Sequence, residues 1–115
     1  MKDNIVVSKS FAFSVSIVRM YQSLIADKKE FVLSKQLLRS GTSIGANIEE
    51  AVGGISKKEF TAKMSIAYKE ARETSYWLRL LHATDYLTNE HYKVLRENCE
   101  EILKILFSII NTSRK

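Results

Sequence analysis

Apolar residues recur every three or four positions through most of the 115-residue chain, and no proline interrupts them. A proline inside a helix costs about 3 kcal/mol, so its absence allows long helices throughout. Recurrence at this spacing places apolar side chains on one face of an α-helix, whereas a strand would show strict alternation. The pattern predicts an all-α fold, and the length is typical of one domain, residues 1–115.

Short polar breaks divide the chain into four predicted helices. They run from about Ser8 or Ser10 to Asp27, from Phe31 to Val52, from Ser56 to Tyr86, and from Thr88 or Asn89 to Asn111. Gly53 and Gly54 end the second helix, since glycine tolerates the left-handed conformation. Ser56 and Glu59 form a capping box at the start of the third. Short connections between long helices predict an up-down antiparallel four-helix bundle.

The first, third and fourth helices carry more apolar surface than a single bundle needs. A surface helix usually buries a stripe about 100° wide. In the first and fourth helices apolar residues cover more than half of the cylinder, and the third adds a second shoulder that includes Ile66 and Trp77. Because exposed apolar patches favour association, we expect a homo-oligomer, most simply a closed ring. The alternative is a wide core that lies wholly inside one bundle.

Polar residues on the second and third helices are not explained by packing in the core. The candidates for a motif or an interface are Arg39, Ser43, Asn47, Glu50, Glu70, Glu73 and Trp77. A carboxylate in an apolar arc is costly unless it is paired, and the planar fork of arginine suits such a carboxylate. We therefore expect Arg39 to pair with Glu70 or Glu73, within or between subunits. Simple exposure of these residues to solvent is the alternative.

Two glycines interrupt the interior of the second helix. Gly41 and Gly45 lie on adjacent turns, and each costs about 1 kcal/mol relative to alanine. Their spacing predicts that another backbone approaches the helix closely there, although a local weakness would also explain them.

The net charge of +5 is compatible with nucleic-acid binding without requiring it. The main candidate contacts are Lys28, Lys29, Lys35, Lys57, Lys58 and Lys63, with Arg39, Lys69, Arg72 and Arg79 as further basic candidates. No recognition-helix signature or stacking platform is evident in the sequence, so we expect phosphate contacts to dominate. The alternative role for these residues is ordinary solubilising charge.

The sequence gives little support for an enzyme, a metal-binding protein or a membrane protein. The two histidines, His82 and His91, are not part of a Glu-x-x-His motif, and His82 with Asp85 offers too few ligands for a metal. The one cysteine, Cys99, lies on an apolar stripe and is most simply a small core residue. No apolar run reaches the roughly 18 residues of a membrane span, and no signal peptide is evident. We expect a cytoplasmic protein with no cofactor and no catalytic residues.

Two segments carry a family resemblance. KQLLRSGTSIGANIEEA (residues 35–51) and KKEFTAKMSIAYKEARETSYWLRLL (residues 57–81) resemble the bacterial four-helix-bundle family encoded by intervening sequences within 23S rRNA genes. The matching positions are Gln36, Arg39, Ser43, Asn47, Glu50, Phe60, Ile66, Ala67, Glu73 and Leu78. The proline common in the family before the second helix is absent, and Lys28 and Lys29 occupy that stretch. The fold is also similar to the accessory variability proteins of diversity-generating retroelements.

The resemblance implies a non-enzymatic bundle that forms rings, typically pentamers, and binds structured RNA or DNA as an accessory or scaffold. Similarity to the retroelement proteins adds a reverse transcriptase as a candidate partner. A purely structural protein–protein module, with no nucleic-acid binding, is the alternative function, and salt-sensitive RNA binding separates the two. The sequence leaves open the natural ligand and the subunit number.

Overall fold

A computed structural model of the chain describes residues 2–114, with side chains from Asn4 onwards. Its helices are α1 (Lys2–Asp27), α2 (Leu33–Val52), α3 (Lys57–Ala83) and α4 (Asn89–Ser113). Met1 and Lys115, the ends of the predicted domain, lie outside the described residues. Residues 2–114 contain no strand, and the predicted all-α class is confirmed.

Each helix packs against its neighbours in the chain, and α1 also packs against α4. The described parts of the two diagonal pairs, α1 with α3 and α2 with α4, make no close contact, so the helices stand at the corners of a square in chain order. The bundle measures 45 × 20 × 19 Å. The predicted up-down antiparallel arrangement is confirmed. We call the end with loops 28–32 and 84–88 the paired-loop end, and the end with loop 53–56 the single-loop end.

The core runs the whole length of the bundle between the four helices. Its fully buried side chains include Val6, Ile17, Leu24, Leu37, Ile44, Ile48, Met64, Leu78, Leu81, Ile102 and Leu106. Burying one such aliphatic side chain contributes roughly 1.5–3 kcal/mol. Cys99 is one of the core residues, as predicted, and its Sγ donates to the carbonyl oxygen of Ala71 at 3.3 Å.

The Ser56 cap of α3 and the Thr88 cap of α4 are present, but no hydrogen bond joins the Ser56 N–H to the Glu59 carboxylate in the described chain, so the predicted capping box is half formed. The Oγ of Ser56 accepts a hydrogen bond from the backbone N–H of Glu59 at 3.0 Å. The Oγ1 of Thr88 accepts one from the N–H of His91 at 3.1 Å. Each bond satisfies an N–H group that has no partner within its own helix, so both helix starts follow from local sequence.

Two other predicted boundaries were wrong. Helix α1 begins at Lys2 and not at Ser8 or Ser10, because the core stripe continues back to the fully buried Val6. Helix α3 ends at Ala83 and not at Tyr86. Asp85 adopts a left-handed conformation with φ of 69°, which turns the chain and lets the N–H of Tyr86 donate to the carbonyl of Leu81 at 2.9 Å.

The end of α2 differs from the prediction in mechanism. The helix stops at Val52, as predicted, but the described glycines all have negative φ, and Gly53 has φ of −83°. The N–H of Gly53 donates to the carbonyl of Glu49, and that of Gly54 donates to the carbonyl of Ala51, both at 3.1 Å. The last turn therefore tightens, and no left-handed residue is required.

The start of α2 depends on Glu30, whose role the sequence analysis missed. The Glu30 carboxylate accepts hydrogen bonds from the backbone N–H groups of Val32, Leu33 and Ser34, at 3.2, 2.9 and 2.7 Å. Burial alone would raise the pKa of Glu30, but these hydrogen bonds outweigh burial and hold that pKa below its usual 4.5. The predicted start at Phe31 was wrong by two residues, because the N–H groups that Glu30 binds belong to the first turn of a helix that starts at Leu33.

The two interior glycines of α2 face α1. A Cβ placed on Gly41 would lie 2.8 Å from Cγ2 of the buried Ile17, which is closer than real contacts allow. A Cβ on Gly45 would lie 3.2 Å from the Oγ of Ser14 and 3.5 Å from the backbone oxygen of Ser10. The backbone of α1 therefore approaches α2 closely at Gly45, whereas Gly41 makes room for the side chain of Ile17.

Candidate functional site

The predicted motif residues of α2 form a row on its outer side. The Oγ of Ser43 donates to the carbonyl of Arg39 at 2.6 Å, and the Nδ2 of Asn47 donates to the carbonyl of Ser43 at 2.8 Å. Glu50 continues the row one turn later. Ser43 and Asn47 thus each use one donor within their own helix, and the Oγ of Ser43 and the Oδ1 of Asn47 remain able to accept.

Two contacts fix how the α2 row lies against α3. The Nζ of Lys63 forms an ion pair with Oε1 of Glu50 at 2.9 Å, and the Oγ1 of Thr74 donates to the Oγ of Ser40 at 2.9 Å. In this antiparallel register Ser43 lies at the level of Glu70, and Arg39 at the level of Glu73 and Thr74. The structure thus brings the motif residues of both helices to one side of the bundle, which we call the α2/α3 face.

The predicted pairing of Arg39 is not formed within the protomer. No ion pair joins Arg39 to Glu70 or Glu73 in the part of the chain that the structure describes, and Arg39 is exposed. Glu73 is also exposed, and its Oε2 accepts a hydrogen bond from the indole Nε1 of Trp77 at 3.4 Å. Solvent can hydrate both charges, so neither requires a partner in one chain. Pairing between subunits stays a prediction.

The structure separates the basic candidates into two groups. Lys28, Lys29 and Lys35 lie at the paired-loop end, whereas Lys57, Lys58 and Lys63 lie at the single-loop end of the 45 Å bundle. One protomer cannot join the two groups into one patch. Lys63 already forms a hydrogen bond and ion pair with Glu50, and this contact raises the pKa of Lys63.

The paired-loop end has a feature that the sequence analysis missed. Phe31 is 55% exposed between Lys29 and Lys35, although an aromatic ring of this size would normally be buried. The Glu30 cap holds the backbone on either side of it. The ring is therefore exposed among lysines at this end of the bundle. Only the position of Phe31 in the fold shows its exposure, because Phe31 is not part of the periodic pattern of apolar residues that forms the core.

A groove of about 380 Å³ lies along the seam between α1 and α4. It is lined by Ser16, Arg19, Met20, Ser23, His91, Val94 and Leu95. Ser23 donates to Oδ2 of Asp27 at 3.1 Å, and no hydrogen bond joins Ser23 to His91 in the described part of the chain. The other histidine, His82, is bonded to Asn89 at 2.7 Å and stacks on Tyr92. Residues 4–114 contain no cluster of three metal-ligating side chains.

Large apolar side chains remain exposed on the helices predicted to have excess apolar surface. They include Phe11, Val15 and Val18 of α1, Ile66 of α3, and Val94 and Phe107 of α4. The alternative of a wide core wholly inside one bundle therefore does not hold for the protomer. None of the described helices is long and apolar enough to cross a bilayer.

Comparison with known proteins identifies the family. The sequence model of the 23S rRNA-intervening sequence proteins matches residues 2–108, which is nearly the whole chain. The chain belongs to this family. The resemblance drawn from residues 35–51 and 57–81 is thereby confirmed.

A solved structure extends the comparison. It is a protein with unknown function of the S23 ribosomal protein family, from Bacteroides thetaiotaomicron. The two chains are 54% identical, the match covers 96% of this chain and 99% of the other, and the TM-score is 0.95. No curated protein matches. The fold is thus shared over 96% of this chain with a relative of unknown function.

Proposed function

We propose that this 23S rRNA-intervening sequence protein is a non-enzymatic, self-assembling four-helix bundle that binds structured RNA or DNA as an accessory or scaffold. The observation that carries the proposal is the group of exposed lysines around Phe31 at the paired-loop end. Lys28, Lys29 and Lys35 form no ion pair among the described residues, so their charges are available to phosphates. The name of the family refers to an intervening sequence of 23S rRNA, and an RNA ligand would agree with that name.

Self-assembly makes a weak basic group effective. A protomer of charge +5 is an ordinary ligand for a polyanion. A cyclic assembly would repeat Lys28, Lys29 and Lys35 around one axis, and several weak contacts made at once give avidity when the geometry allows them to engage together. Phosphate contacts position the nucleic acid without reading its sequence. Stacking on Phe31 would favour unpaired bases of any kind, because every base has an aromatic face.

The alternative is a purely structural module that binds proteins, with a reverse transcriptase as one candidate partner. Exposed Ile66, Val94 and Phe107 support it, because apolar side chains at the surface serve protein contacts as well as self-assembly. This alternative needs no basic surface, so an RNA titration separates the two functions.

The experiment is a fluorescence-anisotropy titration of a hairpin RNA with the assembled protein at two salt concentrations. Affinity should fall by roughly tenfold or more between low and physiological salt, because phosphate contacts release counterions. The double variant Lys28→Glu/Lys29→Glu should bind more weakly. Lys57→Glu/Lys58→Glu is the matched change at the opposite end, and its effect shows whether that end contributes. The protein-binding alternative replaces the proposal if no variant differs from the wild type in RNA affinity, or if the assembled protein binds no RNA at low salt.

A further inference from the structure

We infer that copies of this chain associate head to tail, with the α3/α4 face of one copy docked on the α1/α2 face of the next. The inference deepens the proposed function, since it rests on the self-assembly included there and names the two surfaces. These two faces lie on opposite sides of the bundle, because α1 packs on α2 and α4, and α3 packs on the same two helices.

The α1/α2 face combines exposed apolar residues with a groove. Phe11 is 67% exposed, and Val15 and Val18 follow it on the same side of α1, four and seven positions later. Beside Phe11 lies a groove of about 430 Å³ between α1 and α2. Small side chains keep it open, and Glu49 is the charged residue in its lining. Glu49 forms no ion pair within the described chain.

The α3/α4 face presents a protruding aromatic residue with positive charge beside it. Phe107 is 56% exposed, and its ring packs against that of Tyr68 at a centroid distance of 6.1 Å. Leu103 lies one turn before Phe107 and lines a depression with Arg72 and Arg79. Arg72 has no acidic partner among residues 4–114. Arg79 lies over the ring of Tyr76.

The two faces complement each other in shape and in charge. An exposed ring on one face meets an apolar-edged groove on the other, and unpaired arginines meet an unpaired carboxylate. A two-fold contact of either face with itself would instead present the same unpaired charge from both copies, Glu49 in one case and Arg72 in the other, with no unpaired opposite charge in the lining of that groove or depression to meet it. Contact between two different faces repeats from copy to copy, and it closes into a ring when the rotation allows.

The other two faces already contain ion pairs of their own. Lys9 pairs with Glu101 between α1 and α4, and Lys63 pairs with Glu50 between α2 and α3, both at 2.9 Å. Head-to-tail contact uses the α1/α2 and α3/α4 faces. The α1/α4 and α2/α3 faces then remain free, one for the interior and one for the exterior of a ring.

Light scattering on single variants and on their mixture tests the inference. Phe11→Asp should block one face and Phe107→Asp the other, so each variant alone should run as a monomer of 13.2 kDa. An equal mixture should form a species of about twice that mass, because each variant keeps the face that the other lacks. Val94→Asp is the matched control, since Val94 is 58% exposed on the α1/α4 face, and it should keep the wild-type mass.

Charge reversal provides a second, independent test. Glu49→Arg and Arg72→Glu should each weaken assembly and raise the concentration at which it dissociates at least tenfold. The double variant should recover assembly, because the reversed charges again attract. Circular dichroism of every variant should remain helical, which separates lost docking from lost folding.

Several outcomes would overturn the inference. These are a wild-type monomer, an unchanged mass for Phe11→Asp or Phe107→Asp, dissociation of Val94→Asp, or a mixture that stays monomeric. The tests contain no nucleic acid, so they are independent of RNA binding. Correct assembly without RNA binding would contradict the proposed function alone, and RNA binding by an assembly built on other faces would contradict this inference alone.

Discussion

The hydroxyl of Thr74 donates to the hydroxyl of Ser40 at 2.9 Å, with both side chains fully buried between α2 and α3. The single proton of the Thr74 hydroxyl is shared with the carbonyl of Glu70 at 2.8 Å, and the Ser40 hydroxyl lies 3.5 Å from the carbonyl of Leu37. A buried pair of this kind links the two helices at one register, because a slip along either helix would leave polar atoms without partners.

We expect this pair to show energetic coupling. Ser40→Ala and Thr74→Val should each destabilise the protein by about 1 kcal/mol, because each removes one partner of a buried hydrogen bond. The double variant should cost less than the sum of the two, since no unsatisfied hydroxyl then remains at the site. Urea unfolding of the four proteins provides the measurement, and strictly additive costs would show that the hydrogen bond contributes nothing.

An alanine substitution should destabilise the protein at Gly41 but not at Gly45. Gly41→Ala gains about 1 kcal/mol in helix propensity, but its Cβ would collide with Ile17 at 2.8 Å. Overpacking costs about 1–3 kcal/mol, so the net effect should be destabilising. Gly45→Ala meets Ser14 at 3.2 Å, a polar atom near the surface, and should be neutral or stabilising. Thermal melts compare the two variants directly, and equal shifts in Tm would contradict this account.

Glu30 should make the stability of the protein dependent on pH. Its folded pKa lies below the usual 4.5, so its charged form stabilises the fold above pH 4.5, and this contribution disappears as pH falls through the folded pKa. At pH 7 Glu30→Gln should cost about 1 kcal/mol, the typical value of a helix cap. The cost should shrink towards pH 3. Urea titrations across this range test it, with the exposed Glu97→Gln as control, and a cost that does not vary with pH would argue against the cap.

The thiol of Cys99 should be inert in the folded protein. Burial, assisted by Glu100, raises the pKa of Cys99 to about 12, so almost no thiolate exists at pH 8, and the side chain has no exposed surface. Reaction with a disulfide reagent should therefore require unfolding and accelerate in urea. Asn111→Cys adds a thiol at an exposed position and serves as the reactive control. Rapid labelling of Cys99 in buffer would contradict the burial.

Local sequence signals predicted the parts of the fold that local chemistry determines. Ser56 and Thr88 were identifiable as caps because each bonds to an N–H only three residues away. Lys29 and Asp85 adopt left-handed conformations, with φ of 55° and 69°, and these residue types carry no signal as clear as glycine would. The reach of Glu30 into the start of α2 was missed for a similar reason, because glutamate is not among the usual cap residues.

The candidate site was only partly predictable. The period of the apolar residues showed how wide each apolar face is, but not which part of it the neighbouring helices cover. Phe11 and Phe13 illustrate the difference: they are two positions apart in α1, yet Phe13 is 2% exposed and Phe11 is 67% exposed. Their environments depend on where α2 and α4 pack, which only the assembled bundle determines. The same holds for the lysines, whose separation by the length of the bundle follows from its up-down topology.

The square arrangement of the helices has a consequence for how the chain folds. Three of its four helix–helix seams join segments that are adjacent along the chain, and such local contacts form quickly. The seam between α1 and α4 alone requires the two ends of the described chain to meet, so its formation carries the largest loss of chain entropy. We therefore expect α1 to dock on α4 late in folding. Backbone amides along this seam should be among the first to exchange with solvent when the native bundle opens locally.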